Sequence, residues 1–308
     1  MDPLTHILFS SALSRAEIIP HTREAEFIIV LAGVAPDIDM LYRFKSLAKY
    51  FIHHRKESHS LPGLFILSLP LLLIGKIFLH GLNFSQLYAG IWLGLLSHIF
   101  LDFLTVYGVP FFFPFREKFF NFGILFFLDP WLDILLLPAI LDRFIQLPPA
   151  FPARISLFAV CIYLLFLSVM KILALIHGRK FFLEKSPETA QSHLYASPFP
   201  LNPFNWLLLR KSQNKIYRMR LSLIFGPGPI SIFVSVPAEK LSPFLEKSPL
   251  FKALYGFSEF LFFKLSEQDS GTKISGWDLR MSNYGLAFHA RAKFNQNAEL
   301  VSEKFRYY

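Results

Sequence analysis

The chain has 308 residues, of which 53% are hydrophobic, 37 are phenylalanine and only 17% are charged. Because a soluble globular chain carries about 25% charged residues, this composition predicts a membrane protein and argues against an ordinary soluble enzyme. The net charge of +9 at pH 7 comes from basic residues between and after the apolar runs, so we attribute it to an anionic lipid surface and not to nucleic acid. A single cysteine, Cys161, excludes an intrachain disulfide and a thiolate metal site.

Several apolar runs approach or reach the roughly 20 residues that a membrane-spanning helix needs. They are residues 25–42, 61–80, 86–106, 129–147 and 153–177. Residues 3–19 are apolar but shorter, so they enter the membrane or lie on it, and we expect about five to six membrane helices. The start of the chain lacks the basic region of a cleavable signal peptide. We therefore expect the first span to serve as the signal.

The first long run is interrupted by a proline that two acidic residues follow. Pro36 disfavours helical geometry at the preceding residue and lacks a backbone donor, so the helix should break or kink there. Asp37 and Asp39 come directly after it. If the break is extended, both carboxylates point to one side. A solvated helix end is the simpler alternative.

Histidines are concentrated in two further places. The segment 53–60 (HHRKESHS) contains three of the ten histidines of the chain. His54 and His59 are five positions apart and can face one centre only in an irregular loop, which we expect. His98 and Asp102 are four positions apart and share one face of a helix. Because an ionised aspartate at the centre of a membrane helix costs about 2.5–3.5 kcal/mol, this pair needs a partner or a polar cavity.

Charge counts place these polar residues at one face of the membrane. Residues 43–60 contain five Lys or Arg, whereas the link 81–85 has no charge, so the positive-inside rule puts residues 43–60, 107–128 and the C-terminal part in the cytoplasm. Eight candidate metal ligands then lie at the cytoplasmic face: His6, Asp37, Asp39, His54, His59, His98, Asp102 and Asp129. Their nitrogen and oxygen atoms suit a divalent transition metal, with zinc as the first choice and manganese or iron as alternatives. The number of ions stays open, and a lone histidine in an apolar helix is more often a hydrogen-bonded core residue.

From about Arg179 the sequence changes character. Residues 217–221 and 286–293 alternate between apolar and polar side chains, and turn residues occur at 226–229 and 282–283. This pattern predicts an antiparallel β-rich soluble domain. The predicted fold is therefore mainly α, with a helical membrane domain over residues 1–178 and a β-rich domain over residues 179–308. We expect no ligand from the second domain and place His289 on its surface or at an interface.

Several short motifs occur in a fixed order. They are Thr5-His6, Pro36-Asp37-Ile38-Asp39, His54-Arg55, Ser58-His59-Ser60, Ser97-His98, Asp102, Thr105, Gly108-Val109-Pro110, Pro114-Phe115 and Asp129-Pro130. Together they resemble a family of multi-pass inner-membrane metal-dependent hydrolases, one branch of which is described as LexA-binding. The resemblance covers residues 1–150, and the proline-rich segment 198–206 is similar to that of longer members. It implies a metallohydrolase whose polar motifs match the same eight residues, although the histidine loop reads Lys56-Glu57-Ser58 where many members have Gly-Phe-Thr.

The sequence thus favours an enzyme of the inner (plasma) membrane with a cytoplasmic C-terminal domain. We expect a metal-activated water to cleave a phosphoester of a lipid or lipid-linked substrate, with Arg55 holding the phosphate and a carboxylate accepting a proton. The alternative is a non-catalytic protein, either a metal-ion carrier or a tether that recruits a soluble protein partner through its C-terminal domain. A carrier needs polar residues through the bilayer midplane, and the outer halves of residues 61–80 and 153–177 offer few.

Overall fold

The computed structural model describes residues 1–141, 148–189, 191–268, 271–282 and 288–307. The chain forms two compact units. The first comprises Met1–Asp39 and Arg55–Val169, and the second comprises Met40–His54 and Met170–Tyr308. The chain therefore passes between the units three times. The domain boundary at residue 178 stays a prediction.

The N-terminal half is helical. Its helices are α1 (Pro3–Arg15), α2 (Arg23–Val34), α3 (Leu47–His53), α4 (Leu61–Phe78), α5 (Phe84–Leu104), α6 (Pro130–Leu136) and α7 (Ala150–Lys185). Short 3₁₀ helices, Ala35–Phe44 and Leu137–Ile140, follow α2 and α6. Most of these helices begin at a side chain that accepts a backbone N–H, which fixes where they start. These N-caps are Asp2, Thr22, Ser46, Ser60, Asn83 and Asp129.

Three of the described helices, α4, α5 and α7, are long and apolar enough to cross a membrane. Side chains of α4 and α7 are mostly exposed, as lipid-facing helices require, whereas those of α5 are mostly buried. The expected count of five to six membrane helices is not confirmed. Pro36 divides the run 25–42 into the 12-residue α2 and a 3₁₀ helix. The run 129–147 contains the shorter apolar helix Pro130–Ile140, and its residues 142–147 lie outside the described residues.

Helices α2 and α5 pack at very close range because small residues face each other. A Cβ atom on Gly94 of α5 would collide with the carbonyl oxygen of Ile29 and lie 2.7 Å from the Cβ of Ala32. Helix α1 is joined to α2 by a buried ion pair in which Arg15 Nε lies 2.7 Å from Glu26 Oε1. These contacts hold three helices of the first unit in a fixed arrangement.

The second unit contains an antiparallel sheet of consecutive strands. They are β1 (Leu194–Phe199), β2 (Asn202–Ser212), β3 (Lys215–Ser222) and β4 (Gly226–Val234). One face packs on the last turns of α7, where a Cβ on Gly178 would collide with Leu208. The predicted alternation is confirmed, since Tyr217, Met219 and Leu221 are buried. The predicted turn 226–229 is instead the start of β4. This strand lies at the edge of the sheet, where proline is tolerated because no neighbouring strand on the outer side needs its N–H.

A second antiparallel sheet follows α8 (Ala238–Leu245) and α9 (Pro249–Phe257). Its strands are β5 (Leu261–Gln268), β6 (Gly271–Asp278), β7 (Phe288–Phe294) and β8 (Leu300–Tyr307). Its apolar face covers α3, where the Phe51 ring lies 4.5 Å from that of Phe305 and 5.6 Å from that of Phe288. The predicted β-rich C-terminal part is confirmed, although Leu286 and Asn283 lie outside the described residues.

We predict that Gly94→Ala destabilises the protein by about 1–3 kcal/mol, because the new methyl group forces α2 away from α5. The thermal midpoint of unfolding in detergent measures this effect. Gly256→Ala is the matched control. It makes the same change in a helix where a Cβ meets no atom within 4 Å, so its stability should stay equal or rise by up to about 1 kcal/mol. Equal midpoints for the two variants would contradict the close packing.

Candidate metal centre

Five of the predicted ligands meet inside the first unit, although they come from four separate segments. His6 lies on α1, Asp37 in the 3₁₀ helix after α2, His59 in the loop before α4, and His98 and Asp102 in α5. The side chains of the three histidines and Asp102 are fully buried, and that of Asp37 is 11% exposed. The segment between the end of α3 and the start of α4 is irregular, and of its two predicted ligands His59 belongs to the cluster. The predicted shared helical face of His98 and Asp102 is also confirmed, since His98 Nε2 lies 3.7 Å from Asp102 Oδ2.

Three atoms of this cluster, on His59, His98 and Asp102, are spaced as metal ligands are. His59 Nε2 lies 3.1 Å from His98 Nε2, 3.4 Å from Asp102 Oδ2 and 3.6 Å from Asp37 Oδ1. His98 Nε2 lies 3.7 Å from Asp102 Oδ2 and 3.8 Å from Asp37 Oδ1. Ligand atoms at 2.0–2.2 Å from a tetrahedral ion are about 3.3–3.6 Å apart. His6 stacks on His98 with 3.7 Å between ring centroids and forms a second grouping with His98 and Asp37.

Several polar atoms of the cluster are buried without a hydrogen bond. Within the described part of the chain, this applies to both ring nitrogens of His6, Asp37 Oδ2 and Asp102 Oδ2. Buried polar groups are nearly always hydrogen-bonded, so these lone pairs indicate a place for a cation. Imidazole nitrogen and carboxylate oxygen together suit zinc, manganese or iron. The residues present therefore fit a divalent transition metal.

A second layer of contacts orients the two central histidines. His98 Nδ1 donates to the carbonyl oxygen of Gly33 at 2.8 Å, which leaves the lone pair of Nε2 directed at the cluster. His59 Nδ1 lies 3.3 Å from Asp39 Oδ2 and 2.9 Å from Ser58 Oγ. The sequence predicts Asp39 as a ligand, whereas the structure places it beside the Nδ1 atom of His59, on the side of the ring away from the ligand atom Nε2. In that position it resembles the carboxylate that commonly supports a metal-binding histidine.

Positive charge faces the other side of Asp102. Arg55 Nη2 donates to Asp102 Oδ1 at 3.0 Å, and its Nη1 lies 3.3 Å from Thr105 Oγ1. The Met1 amino group contacts the same Asp102 oxygen. Arg55 has a φ of 59°, a left-handed conformation that is uncommon outside glycine. Its backbone N–H donates to Asp39 Oδ2 at 2.8 Å, which holds the loop in this conformation.

The carboxylates also change the protonation of the groups around them. Burial lowers the pKa of His59, but hydrogen bonds to Asp102, Asp37 and Asp39 outweigh it and raise the pKa to about 10. Burial raises the pKa of Asp37, yet the hydrogen bond from His59 and the nearby His98 hold it well below its usual range. Without a metal, a proton on His59 balances part of the negative charge. A cation that binds here must displace that proton.

Two predicted ligands are placed differently. His54 belongs to the second unit, where its ring stacks on that of Tyr50 at 4.4 Å. Asp129 caps α6 and accepts hydrogen bonds from the Leu132 N–H at 3.2 Å and the Tyr163 hydroxyl at 3.1 Å. Neither belongs to a ligand grouping among the described residues. Their role as ligands stays a prediction.

Sequence reasoning missed the supporting contacts of Gly33, Ser58 and Thr105. Ser58 and Thr105 lie one and three positions from a predicted ligand, so their proximity in sequence was an available signal. Gly33 contributes through its backbone carbonyl, which no side-chain motif reveals. Its contact depends on how closely α2 approaches α5.

Comparison with known proteins agrees with a membrane protein. The family model described as YdjM inner membrane protein matches residues 1–174, a stretch that contains all five clustered residues. The uncharacterized protein YfhP of Bacillus subtilis (strain 168) is 31% identical over 148 residues, which cover 46% of this chain and 45% of that relative. The matched region thus spans less than half the length of this curated relative. No solved structure matches the chain. Because the family model covers more than half of the sequence, the chain belongs to the YdjM inner membrane protein family.

Proposed function

We propose that this protein is a membrane-bound, metal-dependent hydrolase that cleaves a phosphoester of a lipid or lipid-linked substrate. The observation that carries the proposal is the buried set His59, His98 and Asp102, whose ligand atoms lie 3.1–3.7 Å apart, with Asp37 and His6 forming a second grouping around the same His98. A structural zinc site would close all four positions with protein ligands. Here His6 adds buried nitrogens beside the set, so the centre has more donor atoms than one closed site needs.

The residues of the centre fall into three groups. They are residues that would hold an ion, residues that orient a ligand and residues that would take part in the reaction. His59, His98, Asp102 and Asp37 would hold a divalent ion, which supplies Lewis acidity and a nucleophile at neutral pH when bound. Asp39 orients His59, as described above. A carboxylate beside the ligand set would accept a proton from an attacking water.

Arg55 is the residue best suited to bind phosphate. Its guanidinium group is planar and matches two phosphate oxygens at once. One of its nitrogens contacts Asp102, so the group lies directly beside the proposed ion. A phosphate oxygen that approaches the ion would therefore meet Arg55 as well. This arrangement compensates the charge that develops on the phosphate during cleavage.

The position of the centre at two helix ends supports a lipid substrate. Asp102 is two residues before the end of α5, and His59 is two residues before the start of α4. Successive membrane helices run in opposite directions, so we expect these two ends at the same face. The centre would then lie near the border of the apolar layer, where phosphate headgroups are located. A phosphoester of a lipid reaches this depth without leaving the membrane.

The make-up of the second unit supports one membrane side for two distant stretches. Residues 40–54 precede α4, and they form one compact unit with residues 170–308. We therefore expect both stretches on one side of the membrane. With α4, α5 and α7 as spans, that placement requires one further crossing between α5 and α7. The basic residues of the 43–60 stretch favour the cytoplasm as that side.

We predict that the detergent-purified protein contains at least one equivalent of a transition metal. His59→Ala and His98→Ala should each lose it, because each removes a nitrogen from the ligand set. Elemental mass spectrometry of the protein measures the content. His193→Ala is the control, since this histidine has a side chain that is 72% exposed and should not affect occupancy. A metal-free native protein, or full occupancy in both variants, would refute the centre.

We predict that Arg55→Gln keeps the metal and lowers kcat/KM for phosphoester cleavage by about 100-fold, the effect of losing one transition-state donor. The substrates are p-nitrophenyl phosphate, bis(p-nitrophenyl) phosphate and dioctanoyl phosphatidic acid. Arg55→Lys retains the positive charge but lacks the planar guanidinium group that matches two phosphate oxygens. It should therefore recover only part of the rate. If the metal-loaded wild-type protein cleaves none of the three, the hydrolase proposal fails and a non-catalytic metal-binding protein remains.

We predict opposite membrane sides for two introduced cysteines in a Cys161→Ser background. Ser85→Cys lies in the first turn of α5, at the end of the uncharged stretch 81–85, and should react with an impermeant maleimide added to spheroplasts. Lys252→Cys lies in α9 of the second unit and should react only after the membrane is permeabilised. Mass-shift gels record the labelling. Reaction of both cysteines from outside would place the C-terminal part outside the cell.

A further inference from the structure

The second sheet has two chemically different faces. The inner face is apolar, with Ile274, Ala290 and Phe305 buried. The outer face of β6, β7 and β8 has a pocket of about 270 Å³. Five cationic side chains line this pocket together with His289 and Ser302: Lys273, Arg291, Lys293, Lys304 and Arg306. Within the described part of the chain, no aspartate or glutamate lines it.

The strand register places these cations opposite one another. Lys273 of β6 pairs with Lys293 of β7, and Arg291 of β7 pairs with Lys304 of β8. Like charges directly opposite on neighbouring strands destabilise a sheet. The fold thus places like-charged side chains close together around one pocket. An anion bound in the pocket would attract these side chains and offset their mutual repulsion.

A buried histidine holds one of these cations in position. His289 is 2% exposed, and its ring stacks on Trp277 with 4.6 Å between centroids. Of the two expected positions of His289, at the surface or at an interface, the surface position is wrong, because the Trp277 ring and the surrounding basic side chains cover the histidine. Burial first, and then the charges of Arg291, Arg306 and Lys273, lower the pKa of His289 to about 4. The neutral ring accepts a hydrogen bond from Arg291 Nε at 3.1 Å, which orients the guanidinium group.

The chemistry of the pocket selects among anionic ligands. Proteins that bind single-stranded nucleic acid combine basic grooves with aromatic rings on which bases stack. Among the described residues, His289 supplies the one aromatic ring that lines the pocket, and this ring is already stacked on Trp277. The pocket is compact, so it suits one charged group better than a polymer. Helix α7 continues from its membrane-length apolar stretch into this unit, so the chain joins the unit directly to a helix that can cross a lipid bilayer.

We propose that this pocket binds the phosphate-bearing headgroup of an anionic phospholipid. Lys273, Arg291, Lys293 and Lys304 would contact the phosphate oxygens, and the fixed fork of Arg291 would supply paired donors. The site contains none of the residues of the metal centre. The proposal therefore stands independently of the hydrolase activity. It gives the second unit a direct role at the membrane surface.

The test measures binding of dioctanoyl phosphatidylglycerol to the full-length protein in neutral detergent with EDTA, by native mass spectrometry. The pocket variant combines Lys293→Gln and Lys304→Gln and should bind about thirtyfold more weakly, since each lysine contributes roughly fivefold near a phosphate. The control combines Lys240→Gln and Lys252→Gln, two exposed lysines of α8 and α9, and should bind as the wild type does. His59→Ala should also bind normally, which separates this site from the metal centre.

Thermal unfolding supplies a second readout. Without lipid, the pocket variant should be at least as stable as the wild type, because it loses like-charge repulsion. Added dioctanoyl phosphatidylglycerol should raise the midpoint of the wild type and leave that of the pocket variant unchanged. Equal lipid binding by the pocket variant and the wild type would overturn the proposal. So would inorganic phosphate or a uridine oligonucleotide that binds the wild type as tightly as the lipid.

Discussion

The structure of the first unit depends on the burial of two carboxylates, Asp37 and Asp102, among helices suited to lipid. An isolated buried charge costs far more than a typical packing contact contributes, so each carboxylate needs cations close by. Arg55 and the neighbouring histidines meet this need within the described residues. The close approach of α2 and α5 is part of the same constraint, since it brings Gly33 and Asp37 to His98. The same helix contacts therefore provide both the close packing and the charge compensation.

Several parts of this arrangement follow from the sequence. The spacing of His98 and Asp102 fixes their common helical face, and the alternation around Tyr217 fixes the buried side of β3. Pro36 predicts the end of α2. The continuation of that segment as a 3₁₀ helix did not follow, because the conformation after a proline depends on the contacts that the next residues find. Asp37 and Asp39 nonetheless both contact His59.

Other parts depend on tertiary contacts that no local pattern encodes. Asp37 and Asp39 look equivalent in the sequence, yet one faces the cluster and the other supports His59 from behind. The stretch 43–60 reads as a basic loop, but it contains α3, and Phe51 joins a group of aromatic rings from β7 and β8. The basic pocket was visible only as one polar face of β7. Its concave shape requires the neighbouring strands, whose register a single strand does not define.

The backbone at Arg55 shows which property of this residue matters. A left-handed φ suits glycine or asparagine, and another side chain there costs about 1 kcal/mol or more. The loop would thus keep its shape more easily with glycine, so the arginine adds a positive charge here at a cost in backbone conformation. With glycine at this position, the loop would be less strained and the cluster would have one positive charge fewer. The cluster would then attract a cation more strongly and an anion less strongly, so this one position sets the charge that the cluster presents to ions of either sign.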